Sequence, residues 1–87
     1  MKVTDNVTIA VRTRKGIELK PIEFTYAPQS NGMDAVQVKY RGFKQAALLN
    51  PKKVEAYGVY EMTLRFIEYF FGEFMGYGAC TASVSRS

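Results

Sequence analysis

Val7-Thr8-Ile9-Ala10-Val11-Arg12-Thr13-Arg14-Lys15-Gly16-Ile17-Glu18-Leu19-Lys20-Pro21-Ile22-Glu23-Phe24-Thr25-Tyr26 carries two alternating hydrophobic patterns joined by a turn, and the fold follows from how they pair. From Val7 to Arg14 the apolar side chains Val7, Ile9 and Val11 fall on every second position, the period of a half-buried strand. Lys15-Gly16 supplies a turn, because glycine takes the positive φ that a tight hairpin loop requires. In the second strand the apolar phase changes midway: Ile17 and Leu19 keep one parity, whereas Ile22, Phe24 and Tyr26 keep the other. Pro21 stands at the change. Proline lacks an amide donor and is confined to edges and bulges, so the pattern predicts a bulge or bend there, with this strand at an edge of the sheet or leaving the ladder.

Further along, Pro28-Gln29-Ser30-Asn31-Gly32 has the composition of a loop. Val36, Val38 and Tyr40 then alternate with Gln37, Lys39 and Arg41 in a third strand, and Gln45-Ala46-Ala47-Leu48-Leu49 suits either its extension or a short helical turn. Asn50-Pro51 is a helix start, with Asn as the cap and Pro at the first helical position. A single helix is expected from Pro51 to Phe71 or Met75. Its apolar residues fill about half the circumference, more than one sheet covers, which leaves Tyr57, Met62 and Tyr69 on the flanks as residues to meet another subunit or partner. Glu61, Arg65 and Glu68 form a charged row opposite. Gly76-Tyr77-Gly78 stops the helix. The expected domain is therefore residues 1–75 and the expected tail 76–87, although Cys80, Ala82 and Val84 alternate weakly enough to permit a short final strand. The fold class is α+β: a three-stranded antiparallel sheet with one long C-terminal helix packed on one face, in the order β-β-β-α.

With 87 residues there is room for one core, and about 60% of the unfolded surface is buried at this size. The absence of histidine and the single cysteine, Cys80, remove the usual zinc sets, nucleophile–base pairs and internal disulfides. Neither a cofactor motif nor a spaced series of acids for calcium is present. The chain is thus expected to be non-enzymatic and to carry no metal or cofactor. Met1-Lys2-Val3-Thr4-Asp5-Asn6 lacks an apolar signal core, and no stretch approaches the roughly 18 apolar residues of a membrane span. Cytoplasm is the expected compartment, with no membrane partner.

Charge is divided unevenly: residues 1–53 hold ten of the twelve Lys and Arg, and residues 54–87 hold eight of the twelve aromatic rings. In a meander, Arg12, Arg14, Lys20, Lys39 and Arg41 would share the face opposite the helix, with Lys44, Lys52 and Lys53 extending it. Such a stripe suits an acidic protein or the phosphates of DNA or RNA. Lys39-Tyr40-Arg41-Gly42-Phe43-Lys44 overlaps the basic-Gly-aromatic start of the RNA-recognition strand motif. Lys44 and Gln45 then depart from it, and the βαββαβ order is missing.

These readings lead to the expectation of a binding protein that occupies a surface on a larger host protein or nucleoprotein complex. It would be an inhibitor or modulator of the kind that phages and mobile elements direct against host machinery. The alternatives are direct binding of DNA or RNA through the basic sheet face, and a homodimer or larger homo-oligomer assembled by the wide helix face.

Overall fold

A computed structural model describes residues 3–29 and 33–85; the part of the expected loop at 30–32 and the tail's last two residues lie outside them. Its elements are β1 (Val3–Thr13), β2 (Gly16–Pro28), β3 (Asp34–Tyr40), β4 (Phe43–Leu48), α1 (Pro51–Tyr57), α2 (Val59–Tyr69) and β5 (Thr81–Val84), with a π-helical turn over Phe70–Phe74 continuing α2. The strands form one antiparallel sheet in the order β4-β3-β2-β1-β5. The architecture is α+β, but the three-stranded sheet with one long helix is replaced by five strands and a divided helix.

Three local causes account for the difference. Arg41 and Gly42 both take positive φ, 53° and 103°, the signature of a two-residue hairpin loop, so Phe43–Leu48 folds back on β3 as a fourth strand. Gly58 has φ 89° and ψ 157°, a conformation open essentially to glycine alone, and it separates α1 from α2. After the π turn, Gly76 and Gly78 at φ 80° and 81° reverse the chain. Residues 81–84 of the expected tail then pair with β1, with Ala82 opposite Val11.

No bulge forms at Pro21, and β2 is the central strand of the sheet, neither at its edge nor leaving the ladder. The β1–β2 register runs unbroken from Val3 opposite Tyr26 to Thr13 opposite Gly16, with Pro21 opposite Thr8. The hydrogen bond from the Ser85 amide to the Thr8 carbonyl turns the polar groups of Thr8 toward β5. By alternation, Val7, Ile9 and Val11 bond to β2, and Pro21 faces away from β1. The missing proline donor therefore falls on the side where β3 has not yet begun, since β3 pairs with β2 only from Glu23 onward. Constant parity puts Lys20 and Glu18 on the helix side and leaves Ile17, Leu19 and Pro21 on the outer face.

The core lies between the sheet and the helical layer. Ile9, Val11, Ile22, Val38 and Tyr40 meet Ile67, Phe70, Phe71 and Ala82, and the Phe71 ring stands edge-on to Tyr40 at 5.4 Å. The π turn lets adjacent Phe70 and Phe71 both be fully buried, each such ring contributing roughly 1.5–3 kcal/mol. As expected, the Asn50 side chain accepts the Lys52 amide at 2.9 Å and caps α1. Among the described residues no helix is long and apolar enough to cross a membrane.

The return to β5 runs directly over Gly72. The Gly78 amide bonds to the Gly72 carbonyl at 3.0 Å, and a Cβ on Gly72 would lie 2.8 Å from the Gly78 carbonyl oxygen. Gly72→Ala is predicted to destabilise the fold by about 1–3 kcal/mol, the usual cost of overpacking, measured by chemical denaturation.

Candidate docking surface

Register decides which of the basic side chains share a surface. Arg12, opposite Ile17, and Lys39, opposite Glu23, both fall on the outer face. Lys44 lies directly opposite Lys39 on that face, a like-charge pair that disfavours the hairpin unless an anion approaches. Between Arg12 and the lysine pair lie Ile17 and Leu19, 57% and 60% exposed. The result is an apolar patch with Arg12 at one end and the lysine pair, flanked by Glu23, at the other, spread over about 20 Å of strand, in place of an unbroken basic stripe.

The other expected residues are distributed differently. Arg14 and Lys15 form the β1–β2 loop, at the same end of the sheet as the β3–β4 loop that holds Arg41. The Arg41 guanidinium sits 5.3 Å from the Tyr40 ring centroid, toward the helix side. Lys52 and Lys53 occupy the first turn of α1 and are exposed, after the far end of β4 from the β3–β4 loop. Among the described residues the ion pairs are Lys20–Glu18 at 3.5 Å and Arg65–Glu61 at 3.3 Å. None of Arg12, Arg14, Lys39, Arg41, Lys44, Lys52 or Lys53 makes an ion pair among the described residues, although Glu23 stands directly opposite Lys39 on the same face.

Lys20 leaves the expected basic face altogether. It is 9% exposed, its ammonium lying 5.2 Å from the Tyr77 ring centroid and 5.7 Å from that of Tyr40. The Tyr77 side chain above all holds its pKa above the usual lysine value, against the opposing effect of burial, with further help from Tyr40 and Glu18. Because the folded value is raised, this stabilisation is full below the ordinary lysine pKa and is lost as pH rises through the higher one.

On the helical side, Met62 and Tyr69 lie seven residues apart on one flank of α2, about two turns. Tyr57 lies beyond the Gly58 break in α1, its ring 4.5 Å beneath the Arg65 guanidinium. A recess of about 450 Å³ opens between α2 and the sheet, lined by Val7, Ile22, Phe24, Tyr60, Thr63 and Leu64 among others. Glu68 does not join the Glu61–Arg65 row: its Oε2 accepts the Ala82 amide at 2.9 Å and ties β5 to α2. Burial first, and the Glu68 charge second, push the Cys80 thiol up. It is therefore protonated at neutral pH, a poor nucleophile. No cluster of three or more His, Cys, Asp or Glu is placed to hold a metal among the described residues.

Comparison of the chain with known protein families, curated protein sequences and solved structures finds no match. The docking surface rests on its own geometry. The patch residues Ile17 and Leu19 carried a signal in the sequence, the change of apolar phase at Pro21, which marks an exposed apolar pair when the backbone keeps its parity.

Arg41 is the one non-glycine with positive φ among the described residues. The left-handed conformation costs roughly 1–2 kcal/mol for such a side chain, whereas an exposed cation–π contact returns about 0.5–1 kcal/mol. Strain wins. Arg41→Asn, a residue suited to this loop position, is predicted to raise stability by about 0.5–1 kcal/mol, read from the denaturation midpoint.

Proposed function

We propose that this chain is a non-enzymatic binding protein that docks on an acidic surface of a larger protein and acts there as an inhibitor or modulator. The observation that carries the reading is the exposed Ile17–Leu19 pair on the outer face, with Arg12 at one end and Lys39 and Lys44 at the other, none of the three in an ion pair and Glu23 the acid beside Lys39. Apolar contacts released from water supply affinity, and the surrounding cations steer the encounter and select an acidic partner. Occupation of the partner's surface is the mechanism.

The chemistry of the same face favours protein over single-stranded nucleic acid as the target. Phe24, Tyr26, Tyr40 and Phe43 all alternate onto the helix side. The outer face offers aliphatic chains at its centre where a nucleic-acid platform presents aromatic rings for base stacking.

The test is affinity capture from nuclease-treated lysate, comparing the natural chain with an Arg12→Glu, Lys39→Glu, Lys44→Glu triple variant whose fold is checked by circular dichroism. A defined acidic protein retained by the natural chain and lost by the folded variant is expected. Equal retention by both chains, or recovery of nucleic acid alone before nuclease treatment, would sink the assignment.

A further inference from the structure

We propose that the partner joins this chain as an added β-strand, an extended segment in which apolar residues alternate with Asp or Glu and pair with the free edge of β2 at residues 17–21. The inference rests on the acidic-partner reading and adds the mode of engagement. β2 is paired with β1 along its length down to Gly16, whereas β3 pairs with it only from Glu23 onward. The edge at residues 17–21 thus has no neighbouring strand among the described residues.

Alternation identifies the groups on that edge. Glu18, Lys20 and Ile22 bond to β1, so the amides and carbonyls of Ile17 and Leu19, and the carbonyl of Pro21, point outward. Natural edges are commonly blunted by proline or by charge. Here Pro21 removes a single donor at the inner end, and Glu18 and Lys20 project to the helix side. The remaining groups form an open template beside two exposed aliphatic side chains.

The two sides of this edge differ, and the pleat of an added strand would read both. Its outer-face side chains would meet Ile17 and Leu19. Those on the helix side would meet a recess of about 670 Å³ whose lining includes the unpaired Arg14 and Lys15 beside Glu18 and Tyr77, Lys20 being buried and already paired with Glu18. Apolar residues suit the first side and acidic residues the second. A second copy of this chain fits poorly: antiparallel pairing centred on Leu19 would carry its Gly16 and Lys15 to the level of Ile22 and Glu23. Lys39 already pairs with Glu23 at that level. A linear segment can end short of the β3–β4 loop, which a hairpin cannot.

The experiment titrates isotope-labelled protein with short synthetic peptides: one alternating Leu and Glu, one of the same composition in two blocks, and the alternating peptide N-methylated on its backbone. The alternating peptide is expected to bind about tenfold tighter than the block peptide, to lose about tenfold on N-methylation, and to slow exchange of the Ile17 and Leu19 amides. Leu19→Pro, which removes an outward donor as well as the leucine side chain, should weaken binding well beyond Leu19→Ala, which removes the side chain alone. If that variant does not fold, the N-methylated peptide still decides. Salt-dependent binding of all three peptides with equal affinity and no amide protection would overturn strand addition while leaving acidic docking standing. No salt-dependent binding of any peptide would overturn both.

Discussion

The unbroken pairing of β1 with β2 is the constraint on which the rest of the molecule depends. Because each residue of β2 keeps its partner through Pro21, every side chain from Gly16 to Pro28 has its face assigned, and β3, β4 and β5 inherit that assignment through their own registers. A slip of one position would exchange the two faces. It would bring Ile17 and Leu19 inward and expel Lys20 from between Tyr40 and Tyr77. The proline is tolerated because its missing donor faces an edge that β3 does not reach.

The helical layer is held to this sheet from one side. Phe70 and Phe71 fill the centre through the π turn, and the chain then crosses Gly72 closely enough to bond back to it. Glu68 catches the outward amide of Ala82, so the short β5 is fixed by both β1 and α2. The outer face, by contrast, has no helix against it, and it exposes Ile17 and Leu19 together with Arg12, Lys39 and Lys44.

Much of the fold was legible in residues 7–26: the first strand, the Gly16 turn and the second strand all follow from spacing. The error at Pro21 had a physical source. A change of apolar phase signals a bulge only if both apolar sets are buried, and Ile17 and Leu19 are not. β4 was obscured by Ala46 and Ala47, whose small side chains carry little hydrophobic periodicity, and β5 by its length of four residues. Gly58 could be read as a tolerated helical glycine until its φ was known. Of the expected site residues, Arg12, Lys39 and Lys44 share the outer face, whereas Arg41 turns toward Tyr40 and Lys52 and Lys53 belong to α1. Met62 and Tyr69 share a helix flank without Tyr57. Alternation along a strand survives into the structure; grouping across strands needs a register that spacing does not supply.

One arrangement underlies both the fold and the docking surface, the outward edge of β2 with its aliphatic pair exposed. The most direct test is amide hydrogen exchange in the free protein, read residue by residue by nuclear magnetic resonance. The account predicts slow exchange at Glu18, Lys20 and Ile22, whose amides bond to β1, and fast exchange at Ile17 and Leu19. The reverse alternation, with Ile17 and Leu19 protected and Lys20 open, would contradict it.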